Sequence, residues 1–98
     1  MGEGEKGPSA FMKLYEIEFT KRAGNSLKKI DKTDLLRITA AIELMKTDPI
    51  PPNARRLSGS TNYRLRVGNF RIIYAFSGKK LLILILEIGH RSNVYRKR

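Results

Sequence analysis

An α+β fold is what this sequence predicts: an N-terminal strand, a two-helix hairpin, then a three-stranded antiparallel meander (β-α-α-β-β-β), with the helices packed on one face of the sheet. Three observations predict it. Leu35, Ile38, Ile42 and Met45 recur at helical spacing and stop at the breaker Asp48-Pro49-Ile50-Pro51-Pro52. Gly68-Asn69 lies between two alternating runs, the signature of a two-residue hairpin. The run Leu81 to Ile88, LLILILEI, is apolar on both sides, as a strand covered on both faces would be.

The elements follow in order. Residues 1–11 read as a flexible leader outside the fold, and residues 12–98 as one domain. Lys13 to Phe19 reads as a strand. Thr20 is placed to cap a helix from Lys21 to Ile30, which Gly24 and Asn25 together weaken by about 1 kcal/mol or more. Asp31 or Thr33 begins the second helix, which runs to about Lys46. Asn53 to Ser60 (NARRLSGS) is expected to be a basic loop anchored by Leu57. Strands follow at Asn62–Val67, Phe70–Ser77 and Lys80–Ile88, the last two joined by the turn Ser77-Gly78-Lys79-Lys80. The apolar final strand should lie inside the sheet, and Gly89 to Tyr95 should leave it as a loop.

Composition narrows the function. Twenty Lys and Arg against nine Asp and Glu give a net charge of +11 on 98 residues, more than solubility requires. Such an excess points to an anionic partner: nucleic acid, a membrane surface or an acidic protein. With no cysteine there is neither a disulfide framework nor a thiolate metal site, and a single histidine argues against a dedicated transition-metal centre. No cofactor is expected. The longest apolar run, Leu81 to Leu86, is far too short to span a bilayer, so the reading is a soluble cytoplasmic protein with no membrane partner.

The hairpin turn fixes a register. Val67 pairs with Phe70, so Arg66 lies opposite Arg71, with Arg64 two residues along on the same face. Leu65, Val67, Phe70, Ile72, Tyr74 and Phe76 fill the other face, and Tyr63 joins Tyr74 in the core. Like charges directly opposite each other destabilise a strand pair, so three guanidiniums gathered over a dry face suggest a bound anion. A solvated strand face is the plain alternative. Lys28, Lys29, Arg55, Arg56, Lys79, Lys80 and Arg96 read as diffuse phosphate-backbone contacts, and Asp31 and Asp34 as helix caps.

The pattern Y-R-L-R-V-G-N-F-R-I-I-Y, the apolar strand after it, and G-H-R-S-N-V-Y-R resemble the RelE/ParE toxin superfamily over roughly Met12 to Arg96, including the R-R-L-S-G loop. In its RelE branch the resemblance implies a metal-independent endoribonuclease that enters the ribosomal A site, cuts mRNA, and is neutralised by a RelB-like antitoxin. It implies a monomeric free toxin and a heterotetramer with antitoxin. Arg64 and Arg66 fall where RelE members carry catalytic lysines. Arg71, Arg91 and Tyr95 match the family's two arginines and its tyrosine. Arginine is always protonated, so it stabilises phosphorane charge but does not readily give up a proton.

That departure turns attention to His90, the simplest proton shuttle in the chain, with a strand-end cap as its plain reading. Tyr95 serves as base only if Arg91 and Arg71 lower its pKa from about 10. Otherwise it stacks on a splayed base or packs near the C-terminus. The ParE branch offers a second function, inhibition of DNA gyrase by protein–protein binding without RNA cleavage.

Overall fold

The computed structural model describes residues 14–90. Two helices lie on one face of a five-stranded sheet: β1 (Glu16–Phe19), α1 (Lys21–Lys29), α2 (Lys32–Met45), β2 (Ala54–Arg56), β3 (Tyr63–Val67), β4 (Phe70–Ser77) and β5 (Leu82–His90). The strand order is β1-β5-β4-β3-β2. β1 runs parallel to β5 and every other neighbour is antiparallel.

Local chemistry sets the helix ends. Thr20 Oγ1 accepts from the Ala23 amide at 3.1 Å, and Asp31 Oδ1 accepts from the Asp34 amide at 3.2 Å. Each cap satisfies one of the amides a helix start leaves over. Ile30 and Asp31 are both extended, so the two helices meet across a two-residue joint. Ile38, Ile42 and Met45 of α2 and Ala23 of α1 are buried against Leu65, Ile72, Tyr74, Ile83, Ile85 and Ile88. Tyr74 is fully buried, donates its hydroxyl to the Pro49 carbonyl at 2.6 Å, and stacks on Tyr63. Burial holds its phenol well above the ordinary tyrosine range.

Two features depart from expectation. The basic stretch read as a loop contains β2, whose three residues pair with Tyr63–Leu65 of β3. Leu57 N donates to Asn62 O at 2.9 Å, and Gly59, at φ +70°, lets the chain reverse between the two strands. The last strand lies inside the sheet as expected, but it extends to His90 instead of ending at Ile88. It also contains a bulge. Ile73 pairs with Glu87 but Tyr74 pairs with Ile85, which leaves Leu86 as the extra residue. Thr20 Oγ1 donates to the Leu86 carbonyl at 2.7 Å, so the helix cap also serves the irregular strand.

Candidate nucleic-acid interface

The hairpin register is the expected one: Val67 pairs with Phe70, Leu65 with Ile72, and Arg66 with Arg71. The turn has a positive φ at Gly68 and not at Asn69, the requirement of a II′ turn with glycine first. β2 extends the pattern outward, because Arg55 pairs with Arg64. Partners in a ladder share a face, so Arg55, Arg64, Arg66 and Arg71 form two cross-strand pairs on the side away from the helices. Glu87 is the one carboxylate in strands β2 to β5, and its register opposite Ile73 puts it diagonal to Arg71.

The four arginines differ in setting. Arg71 is buried at 5% exposure, between Arg66 on β3 and Gly89 on β5, which adds no side chain there. Its Nη1 donates to the Phe70 carbonyl at 3.4 Å. Arg64 is half-buried, while Arg66 and Arg55 are exposed. Arg55, Arg64 and Arg66, with Asn53, line a cleft of about 180 Å³. Asn53 Nδ2 donates to the Arg66 carbonyl at 2.7 Å and so extends the edge of β3 past the end of β2. The arrangement can bind an anion through permanently charged, planar donors.

The remaining candidates do not gather there. His90 lies in β5 opposite Phe70, and the two rings meet edge-on at 5.8 Å. That register puts it on the helix-side face, opposite the arginines. The bulge at Leu86 is the reason, since one extra residue inverts the facing of everything after it. Arg56 pairs with Tyr63, faces the other way from Arg55, and donates from Nε to the Ser60 carbonyl at 3.0 Å. Lys28 and Lys29 end α1, and Lys79 and Lys80 occupy the β4–β5 turn at the far end of β4 from Arg71. Arg91, Tyr95 and Arg96 lie outside the described residues.

Two contributors escaped the sequence reading. Asn53 was passed over, and Arg37 reaches from α2 to the hairpin turn, its Nη1 3.8 Å from where a side chain on Gly68 would begin. The signal for β2 was Ser58-Gly59-Ser60 between two runs that each hold arginine beside an apolar residue.

This order of elements, with a cationic sheet face turned away from two helices, defines a small basic α+β protein of one sheet. Residues 17–95 match the family described as the ParE toxin of type II toxin–antitoxin systems, parDE. RelE1 of Methanocaldococcus jannaschii is 34% identical over 86 residues, covering 84% of this chain and 96% of that one. Toxin RelG of Mycobacterium tuberculosis is 26% identical over 87 residues, covering 85% and 98%. Among solved structures, the archaeal RelE–RelB complex from Pyrococcus horikoshii OT3 gives a TM-score of 0.72 at 25% identity, covering 80% of this chain and 96% of that one. The chain belongs to the RelE/ParE superfamily and is a toxin of a type II toxin–antitoxin system.

Proposed function

We propose that this toxin is an endoribonuclease that cleaves mRNA in the ribosomal A site by attack of a ribose 2′-OH on the adjacent phosphate, without a metal. The products are a 2′,3′-cyclic phosphate and a free 5′-OH. The observation that carries this reading is the pairing of Arg55 with Arg64 and of Arg66 with Arg71 on one sheet face. Negative charge grows on the equatorial oxygens as the phosphorane forms, and guanidiniums already held in place bind that state more tightly than the ground state. Arg66 and Arg71 are assigned this role, with Arg64 beside them and Arg91 completing the set. Tyr95 is assigned the 2′-OH proton, and the departing 5′ oxygen takes its proton from solvent water. His90, on the opposite face, is left without a part in the chemistry.

A second reading is favoured by the ParE description of the matching family: binding to DNA gyrase with no RNA cleavage. The arginine row supports the nuclease, because paired planar guanidiniums suit the equatorial oxygens of a phosphorane. One experiment separates them. Purified toxin is added to ribosomes stalled on a defined mRNA, RNA ends are mapped, and supercoiling by gyrase is assayed in parallel. Cuts within the A-site codon with 5′-OH ends support the nuclease. Supercoiling inhibition without cuts defeats it. The Pyrococcus relative was solved as a complex with RelB, which supports a RelB-like antitoxin as the partner here; a heterotetramer formed from monomeric toxin in the cytoplasm is the assembly we propose. Among the described residues no helix is long and apolar enough to cross a membrane.

A further inference from the structure

The arginine row is longer than one phosphate. Arg55 and Arg71 stand on β2 and β4, with β3 between them and a two-residue offset along the strands, so their backbones are roughly 12 Å apart at about 4.8 Å per strand and about 3.4 Å per residue. Long side chains can converge over such a distance, but these two are held. Arg55 Nη1 donates to the Pro52 carbonyl at 3.0 Å and to the Ala54 carbonyl at 2.9 Å, which spends both hydrogens of that nitrogen and keeps the fork at the sheet edge. Arg71 is buried two strands away, with Nη1 directed to the Phe70 carbonyl. Neither can reach the other's anion without giving up those contacts.

Building on the nuclease reading, we infer that Arg55 is a phosphate-binding residue for the phosphodiester next to the one cut, seated in the cleft of Asn53, Arg64 and Arg66. The RNA backbone then crosses the sheet obliquely, from the β2 edge toward β4, because the Arg66–Arg71 pair lies one strand over and two residues along from the Arg55–Arg64 pair. The neighbouring phosphate meets Arg55 and Arg64, and the scissile one meets Arg66 and Arg71. The substrate class follows. It is an unpaired RNA segment with at least two consecutive phosphates in the site, since a duplex could not lay one strand flat along a row this short. Asn53 acts as a positioning residue, holding the end of β3 through the Arg66 carbonyl.

The test is binding of a labelled single-stranded oligoribonucleotide, 2′-O-methylated to block cleavage, across a salt series. Arg55→Gln should weaken binding and lower the slope of log K against log salt by about 0.7, the loss of one phosphate contact on a single strand. Arg55→Lys should restore the slope. In cleavage by the active toxin, Arg55→Gln should raise KM several-fold and leave kcat within about twofold. Arg22→Gln, an equal charge loss on the exposed start of α1, should leave the slope unchanged. An unchanged slope in Arg55→Gln, or an equal fall in Arg22→Gln, overturns the inference, as does a loss confined to antitoxin binding. Failure of the parent protein to cut RNA while these slopes hold defeats the nuclease reading and leaves the cleft standing.

Discussion

Arg66 and Arg71 face each other across the β3–β4 hairpin, one exposed and the other buried at 5% exposure. A ladder tolerates like charges least at directly opposed positions, where the cost is roughly 0.2–1 kcal/mol. Arg66→Gln is therefore expected to raise stability by about 0.5 kcal/mol and Tm by a few degrees. The gain should shrink as salt is added, because screening relieves the parent pair. Cleavage should fall in the same variant. Thermal melts at two ionic strengths check the first half, and a cleavage assay checks the second.

Arg71→Ala and Arg91→Ala should each lower cleavage by about 10²- to 10³-fold, the usual loss for one preorganised donor to a charged transition state. Each variant should keep the parent's circular dichroism spectrum. Cells expressing either one at parental levels should survive. Full toxicity in either would remove that residue from the site.

His90→Gln is expected to change the cleavage rate less than about threefold and to leave its pH profile in place, since the register turns that ring toward Phe70. A displaced profile would return His90 to the mechanism.

Thr20 has two obligations, the Ala23 amide and the Leu86 carbonyl. Thr20→Ala should cost about 2 kcal/mol, as both a cap and a partly buried carbonyl's partner are lost. Thr20→Ser keeps the oxygen and should recover most of that. Chemical denaturation of the three proteins reads the difference directly.

Tyr74 supplies a pH signature. Its phenol ionises well above the ordinary range in the fold and near pH 10 in the unfolded chain. The unfolded state therefore loses that proton first, and above about pH 10 stability falls as pH rises. Tyr74→Phe should flatten this alkaline decline and cost about 1–2 kcal/mol at neutral pH, because the Pro49 carbonyl is left without its 2.6 Å donor. Urea midpoints measured from pH 8 to 11 give both numbers.

Much of this was legible in the residues. Periodicity located α2 and the meander, capping chemistry named Thr20 and Asp31, and Gly68-Asn69 fixed the pairing that puts Arg66 opposite Arg71. β2 was only half legible: Ser58-Gly59-Ser60 marks a reversal, but three residues with a single inward apolar side chain, Ala54, carry no period of their own. It exists through its hydrogen bonds to β3, and Arg55 joined the row only through them. His90, read as part of the loop after Ile88, is the last residue of β5. Strict alternation from Ile83 and Ile85 would have turned it outward, but β5 spends an extra residue at Leu86, so Ile88 and His90 face inward instead. Nothing in the apolar run LLILIL marks which leucine is the odd one.

The parallel pairing of β1 with β5 ties the opening of the described chain to its close, and the Thr20–Leu86 hydrogen bond spans 66 residues. A ribosome delivers β1 well before β5, and until β5 arrives the chain lacks the strand that flanks β4 and seats α1. Contacts this distant in sequence form late and slowly. Until β5 is made the sheet stays open, and Arg71 lacks the strand that flanks it at Gly89. The local β2–β3–β4 pairings can therefore set out the arginines first, while the surroundings of Arg71 are completed only when β5 docks.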